Sequence, residues 1–202
     1  MLEEEYRVLN TPDKQLQIKV SSLRKVYLRG SGLLNPGEPL CAVENLSFGL
    51  SRGECFGLLG VNGAGKSTTF KILTGEEEPT SGSIKIQGMD MNKDFQKCRK
   101  LIGYCPQYNA IFQTLSVEEN IEYFARIKGI PEKWRSSLIE DVIKKLDLGP
   151  HRDKATGTLS GGNKRKVCVA IAILGNPPII LLDEPSAGMD PEARRFMWEV
   201  IG

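Results

Sequence analysis

The sequence predicts an α/β fold with a mostly parallel sheet, and three observations support this class. Short apolar or alternating runs of strand length recur along the chain. Helical patterns lie between them, and a glycine-rich turn at Gly60–Lys66 joins one apolar run directly to a helical pattern. Strands that alternate with helices are typical of parallel sheets, because a helix makes each return crossing.

The predicted strands are bounded by turn residues. Residues 1 to about 14 are polar and predict a loose lead-in. Gly30–Pro39 contains three glycines and two prolines and predicts a loop. Strands are predicted at Gln15–Val20, Ala42–Leu50, Glu54–Leu59, Ser83–Gln87 and Pro178–Leu182.

Helices are predicted where apolar residues recur at helical spacing. Pro131 suits the first position of a helix, and Gly149-Pro150 stops the same helix. The helices are predicted at Lys66–Leu73, Val117–Lys128, Pro131 to about Leu146, Ser160–Leu174 and from Pro191 onwards. The helical stretch from about 109 to 159 indicates an insertion into the sheet fold.

The composition is that of one soluble globular domain. The chain has 202 residues, of which 40% are hydrophobic and 26% charged, and its net charge is +2. This balance favours neither nucleic acid nor a membrane surface as a partner. Two short basic runs, Lys164–Lys166 and Arg194–Arg195, are expected to form solvated helix faces. For the first run, steering of nucleotide is the alternative.

The five cysteines show no metal-ligand spacing, which favours reduced thiols. Cys55 and Cys105 lie in apolar runs and are expected to pack as small apolar residues. Apolar runs such as Ile179–Leu182 are far shorter than the roughly 20 residues of a transmembrane helix. Since the first residues also lack the pattern of a signal peptide, we expect a cytosolic chain.

Gly60–Ser67 satisfies the pattern G-x-x-x-x-G-K-[ST] between an apolar run and a helix. Glycines let the backbone N–H groups point at phosphate oxygens, and the helix N-terminus adds partial positive charge. Lys66 is predicted to reach the β- and γ-phosphates of ATP, and the Ser67 hydroxyl to ligate Mg²⁺. The correct flanks disfavour a chance glycine-rich turn. The predicted ATP-binding residues are Gly60, Val61, Asn62, Gly63, Ala64, Gly65, Lys66, Ser67 and Thr68.

Two acids follow the apolar run Ile179–Leu182. The carboxyl ends of strands are where ligands bind in open α/β sheets. Asp183 is predicted to hold the Mg²⁺ shell, and Glu184 to orient the attacking water or take its proton. Acids after an apolar strand are common, so this prediction depends on the phosphate-binding pattern upstream.

Leu159–Asn163 places Ser160, Gly161 and Gly162 at the start of a predicted helix. A helix N-terminus with small residues predicts a second anion-binding site. The alternative is an ordinary serine N-cap followed by a flexible turn.

These three motifs, in this order, resemble the Walker A, signature and Walker B motifs of ATP-binding cassettes, with the P-loop NTPase fold. The resemblance covers residue 16 to the end, after a lead-in at 1–15. It implies a core of 16–108 and 160–202 with an antiparallel β subdomain, and a helical subdomain at 109–159. Gln107 matches the Q-loop glutamine, which the resemblance makes a catalytic residue and Mg²⁺ ligand. Ser186–Asp190 occupies the D-loop position. Tyr27 matches the aromatic that stacks on adenine, an ordinary strand aromatic being the alternative.

The family resemblance also implies partners. Two cassettes meet head to tail, so that Ser160, Gly161 and Gly162 contact the ATP bound to the partner cassette. Gln107 and the helical subdomain face the transmembrane domains, at the cytosolic side of a membrane. Hydrolysis of ATP, with Glu184, Gln107 and Lys66 as catalytic residues, powers transport.

The stretches Gly103–Gln107, Ser160–Lys166 and Gly188–Phe196 resemble the A subfamily of cassette transporters, which export mostly lipids and sterols. Asn163, in place of the usual glutamine, and Gly188-Met189, in place of the more common leucine, resemble its second cassette. Family members carry a switch histidine beyond the catalytic glutamate, whereas the only histidine here, His151, precedes the signature loop. We expect His151 to be a solvated or loop residue.

The resemblance therefore implies a sequence that is incomplete at its C-terminal end, and we expect the isolated chain to bind ATP but hydrolyse it poorly. Two other functions stay open. A soluble cassette acting on ribosomes or DNA is disfavoured by the absence of a second cassette, a coiled coil or basic extensions. A nucleotide-binding module without turnover would bind ATP and leave it intact.

Overall fold

A computed structural model describes residues 2–28 and 38–201, and side chains at 3–28 and 38–200. The chain divides into two compact units, 1–99 and 100–202, which are described separately. The loop predicted at Gly30–Pro39 lies mostly outside the described residues, and its last residue, Pro39, begins a strand.

The first unit is built on a four-stranded antiparallel sheet. Its strands are β1 (Leu16–Leu28), β2 (Pro39–Ser51), β3 (Ser81–Ile86) and β4 (Met89–Asp90), in the order β2-β1-β3-β4. Alternation in β1 buries Leu16, Ile18 and Val20. Val20 pairs with Phe48 of β2 and with Ile84 of β3, so the three strands share one apolar face.

The loose lead-in predicted for the first residues is wrong, because Leu2–Asn10 forms helix α1. Val8 is fully buried. The Glu4 carboxylate accepts a hydrogen bond from Gly49 N (3.0 Å), and the Arg7 guanidinium donates to Gly49 O (2.6 Å). Glu4 and Arg7, two of the polar residues of α1, thus bond to the backbone of β2, the edge strand of the described sheet. A short 3₁₀ turn, Asp13–Gln15, leads into β1.

The strand predicted at Glu54–Leu59 is also wrong. These residues have no regular secondary structure, and Leu59 is 92% exposed. A strand requires a neighbour for its N–H and C=O groups, and none of the described strands pairs with this segment. Cys55 is consequently exposed rather than packed as an apolar residue. Helix α2 (Lys66–Thr74) follows and ends at Gly75, which has the left-handed conformation common after helices (φ 74°).

The second unit contains two parallel strands, β5 (Ile102–Cys105) and β6 (Ile179–Leu182). Helix α6 (Gly161–Ile173) packs against them with its apolar second half, Val167–Ile173. A Cβ at Gly103 would lie 2.1 Å from the Ala172 carbonyl oxygen, so this contact requires glycine. Burial raises the pKa of Cys105 to about 12 and that of Cys168 to about 11. Both thiols therefore pack as neutral groups, as predicted for Cys105.

Each unit contains further helices. They are α3 (Phe95–Arg99) in the first unit and α4 (Val117–Ile127), α5 (Glu132–Lys145) and α7 (Pro191–Ile201) in the second, with 3₁₀ turns at Gly149–His151 and Thr156–Thr158. Ser116 and Glu119 form a reciprocal capping box at the start of α4. The buried Asn120 bonds to both backbone groups of Phe112, which ties the preceding loop to α4.

The mixture of strands and helices confirms the α/β class. The helices predicted from spacing begin and end within two residues of the observed ones. Within the described ranges, no helix combines the length and apolar composition that crossing a membrane requires.

Candidate functional site

The predicted site residues fall into two sets. The phosphate loop and Tyr27 lie in the first unit, and Gln107, the signature residues and the two acids lie in the second. Each set is described by itself.

The phosphate loop runs from Gly60 into α2. Gly63 (φ 87°) and Gly65 (φ 84°) have a left-handed backbone that side chains with a Cβ rarely adopt. A Cβ at Gly65 would lie 2.2 Å from the Ala42 carbonyl oxygen of β2, so the loop passes against the sheet with no room for a side chain. Thr69 is buried, and both its hydroxyl (2.9 Å) and its N–H (2.8 Å) donate to Gly65 O. The end of the loop is thereby fixed to the first turn of α2.

Lys66 folds back over this loop. Its ammonium donates to Gly60 O (2.6 Å) and to Val61 O (2.9 Å), the carbonyls at the start of the loop. The Ser67 hydroxyl is exposed one position further along the helix. The loop contains no acidic residue.

Backbone N–H groups at a helix N-terminus, an ammonium and a free hydroxyl are the donor set that a polyphosphate with Mg²⁺ requires. The curled backbone fits such a ligand, because glycines without a Cβ let phosphate oxygens approach the backbone N–H groups closely.

In the second unit, polar side chains meet at the carboxyl ends of β5 and β6. The Gln107 side-chain amide donates to the Glu184 carboxylate (3.1 Å). Both side chains are exposed, whereas Asp183 is half-buried. Asp183 N donates to Cys105 O (2.9 Å), which continues the strand pairing to this point. An exposed carboxylate held by an amide can orient a water molecule and accept its proton.

The backbone at Glu184 is unusual. Its φ is +47°, a left-handed conformation that costs free energy in a residue with a Cβ. Such conformations persist where the surrounding structure over-determines them, and they cluster at functional sites. The sequence carries no signal for this conformation, since glutamate is not a residue that favours it.

The signature residues lie at the N-terminus of α6. Ser160 is the N-cap, and its hydroxyl accepts a hydrogen bond from Asn163 N (3.2 Å). The N-cap alternative is therefore the observed local role of this serine. Gly161 has no neighbour within 4 Å of an added Cβ, so its surface is open.

His151 ends the 3₁₀ turn Gly149–His151 and is half-buried beside the signature residues, which agrees with the predicted loop position. Its Nε2 lies 3.0 Å from the Asn163 side-chain amide, and its Nδ1 lies 3.2 Å from the Lys154 ammonium. The Lys154 ammonium and the Asn163 amide nitrogen are both donors, and the tautomer of the ring decides which of its two nitrogens accepts. Spacing alone did not show this contact.

The position of Arg165 also corrects a prediction from the sequence. It was expected on a solvated face of α6, yet it is 2% exposed. Its guanidinium donates to five backbone carbonyls, those of Pro106, Gln107, Asp183, Glu184 and Pro185. Sequence reasoning missed this residue, and the signal available was a basic residue two positions before the apolar run Val167–Ile173.

The other predicted residues have simpler surroundings. Tyr27 is half-buried on β1, with the Lys25 ammonium 5.0 Å from its ring centroid. Asp190, the last residue of the predicted D-loop, caps α7 by accepting from Glu192 N (3.1 Å) and Ala193 N (2.9 Å). The hydrogen bond from Ala193 N lowers the pKa of Asp190.

A phosphate-type loop before a helix, with two acids at the carboxyl end of a buried strand, defines a nucleotide-binding domain of the P-loop class. A family model described as "ABC transporter" matches residues 43–187, which is more than half of the chain. The chain therefore belongs to the ABC transporter family.

Individual proteins agree with this family. The chain is 44% identical over 194 residues to the "Phospholipid-transporting ATPase ABCA3" of Mus musculus, covering 96% of this chain and 11% of that protein. It is 43% identical over 199 residues to the "Retinal-specific phospholipid-transporting ATPase ABCA4" of Homo sapiens, covering 98% of this chain and 8% of that protein. The chain thus spans about a tenth of the length of the curated relatives that it matches.

A solved structure shows the same fold. The "Dimeric structure of a post-hydrolysis state of the ATP-binding cassette MJ0796 bound to ADP and Pi" superposes with a TM-score of 0.78 at 26% sequence identity, covering 91% of this chain and 81% of that one. These findings confirm the predicted ATP-binding cassette fold and the resemblance to the A subfamily. By family and fold, the chain is a domain of the ATP-binding cassette type.

Proposed function

We propose that this chain binds Mg-ATP and hydrolyses it as the energy-coupling cassette of a membrane transporter for phospholipids. The phosphate loop carries this proposal. Its curled backbone passes close to β2 at Gly65, and it bears the Lys66 ammonium and the Ser67 hydroxyl. The relatives named phospholipid-transporting ATPases support the transported class.

In this proposal the loop residues Gly60–Thr68 bind the phosphates, and Tyr27 stacks on adenine. On binding, the Lys66 ammonium exchanges its two carbonyl acceptors for the β- and γ-phosphate oxygens. Ser67 is the proposed Mg²⁺ ligand of the first unit, and Asp183 and Gln107 are those of the second. When bound, Mg²⁺ neutralises the charge that develops on the phosphate oxygens.

Glu184 is the proposed catalytic base. The Gln107 amide holds its carboxylate at 3.1 Å, which restricts the directions in which the carboxylate can accept a proton from water. Gln107 thus contributes to catalysis by orientation as well as through the proposed metal shell.

The proposed partners are a second cassette and the transmembrane domains of a transporter. Ser160, Gly161 and Gly162 would bind the ATP of the second cassette, and the solved dimer of a related cassette supports this arrangement. Gln107 and the helices of residues 109–159 would face the transmembrane domains at the cytosolic side of the membrane. We propose no nucleic-acid partner, because a net charge of +2 gives no reason to expect one.

The ATP site is tested by Lys66→Ala. We expect the affinity for Mg-ATP, measured by titration calorimetry, to fall about 10- to 100-fold, because charge-assisted hydrogen bonds to the phosphates are lost. Lys71→Ala, an exposed lysine of the same helix, is the matched control and should bind as the unmodified chain does. Equal affinity of the two variants would contradict the proposed site.

The transport function is tested by exchanging the matching segment of a phospholipid-transporting relative for this chain. We expect the chimera to move fluorescent phospholipid across vesicle membranes when Mg-ATP is supplied, and the same chimera with Lys66→Ala to move none. Binding and hydrolysis of ATP without lipid movement would favour a cassette ATPase with another partner. Binding of ATP without hydrolysis would favour the alternative of a nucleotide-binding module without turnover.

A further inference from the structure

Arg165 joins two separate segments of the second unit. One nitrogen, Nη1, donates to the carbonyls of Pro106 and Gln107 (3.2 Å to the latter), just after β5. The other two, Nη2 and Nε, donate to the carbonyls of Asp183, Glu184 (3.0 Å) and Pro185 (3.1 Å), just after β6. The planar guanidinium thus bridges the ends of the two parallel strands.

Arginine suits this bridge for a geometric reason. Its guanidinium carries five N–H donors in a rigid plane, whereas a lysine ammonium presents three donors from a single atom. The two ends of the guanidinium can therefore bind two segments at once. A lysine at the same position would reach one segment only.

The bridge is made wholly with carbonyl oxygens. Among the ion pairs of the described residues, none includes Arg165. A buried charge is costly unless its hydrogen bonds are satisfied, and here five carbonyl dipoles satisfy them. A buried leucine at this position would carry no desolvated charge, so burial alone does not explain an arginine.

The bound carbonyls lie where the strained backbone needs support. Glu184 has a φ of +47°, and Arg165 binds the carbonyls of the residue before it, of Glu184 itself and of the residue after it. The same guanidinium binds the carbonyl of Gln107, whose side chain bonds to Glu184. Both ends of the Gln107–Glu184 hydrogen bond therefore depend on one buried side chain.

We propose that Arg165 is a positioning residue that holds Gln107 and Glu184 in the geometry required for hydrolysis, without touching nucleotide itself. Its effect on catalysis rests on the proposed function, in which Glu184 is the base. Loss of the bridge should let the Glu184 backbone relax from its left-handed conformation and move the carboxylate away from Gln107. Turnover should then fall, while ATP binding at the phosphate loop persists.

The first test uses NMR spectroscopy of the full chain without nucleotide. The side-chain amide signal of Gln107, assigned by its loss in Gln107→Ala, should move to the region of solvent-exposed glutamines in Arg165→Lys. Arg195→Lys, the same change at an exposed arginine of α7, should leave the signal in place. An unmoved Gln107 signal in folded Arg165→Lys overturns the proposal.

The second test measures turnover and binding together. Arg165→Lys should lower single-turnover hydrolysis of ATP about 100-fold and change the dissociation constant for Mg-ATP by less than about threefold. A loss of affinity as large as the loss of turnover would show a merely structural role and overturn the proposal. Arg165→Gln, which retains one amide group, is measured in the same way in case the lysine variant does not fold.

The unmodified chain supplies a measurement that needs no variant. The Arg165 Nε–H should exchange with solvent at least about tenfold more slowly than that of the exposed Arg195. Equal exchange rates would show that the bridge does not persist in solution and would overturn the proposal. The NMR measurements use no nucleotide, so they decide whether Arg165 positions Gln107 even if the chain does not bind ATP. Failure to bind ATP would refute the proposed function alone.

Discussion

Glu184→Gln is expected to lower ATP hydrolysis by at least about 100-fold while leaving Mg-ATP affinity nearly unchanged. The amide that replaces the carboxylate has a similar shape and can still bond to Gln107, but it does not accept a proton from water. The variant thus removes the chemistry and preserves the geometry. Single-turnover hydrolysis of radiolabelled ATP over hours measures the effect even where the unmodified chain turns over slowly.

The matched control for this variant is Glu199→Gln, the same change at an exposed glutamate of α7. It should hydrolyse ATP at the rate of the unmodified chain. If Glu184→Gln retained a rate within about threefold of that chain, Glu184 would not be the catalytic base.

Gly65→Ala should strongly weaken the binding of Mg-ATP. The added Cβ would lie 2.2 Å from the Ala42 carbonyl oxygen and 3.0 Å from Val43 Cγ2, at a residue whose φ of +84° already disfavours a side chain. A backbone oxygen of a paired strand does not move aside easily, so the loop itself must shift. Because the phosphates bind to the backbone of this loop, we expect the affinity to fall at least about 100-fold.

Two other glycines serve as controls that distinguish a steric collision of the added Cβ from the cost of a left-handed backbone. Gly63 (φ +87°) in the same loop and Gly53 (φ +75°) outside it have no atom within 4 Å of an added Cβ. Gly63→Ala and Gly53→Ala carry only the left-handed cost of about 1 kcal/mol. Calorimetric titration of the three variants with Mg-ATP should place Gly65→Ala far below the other two. Equal losses at Gly65 and Gly63 would refute the collision argument.

The phosphate loop and the helices could be predicted because their signals are local. The spacing of Gly60, Gly65 and Lys66 prescribes a curled backbone within eight residues. Ser116 and Glu119 mark the start of α4 within one turn. The acids after β6 could be placed because a short apolar run indicates where its strand ends.

Features that depend on distant residues could not be predicted. The apolar run Glu54–Leu59 has strand composition, but a strand forms only where another strand pairs with it. Helix α1 is held by Gly49, more than 40 residues along the chain. The burial of Arg165 follows from the meeting of β5, β6 and α6, which no local pattern specifies.

Helix α1 has a consequence for how the chain behaves in concentrated solution. An unprotected edge strand invites strands of neighbouring molecules to add to it, which is a route to aggregation. Glu4 and Arg7 bond to the N–H and the C=O of Gly49, so intermolecular pairing at that point of β2 would first have to displace the helix. Helix α1 thus blocks the edge of β2 at Gly49 and disfavours self-association at that point.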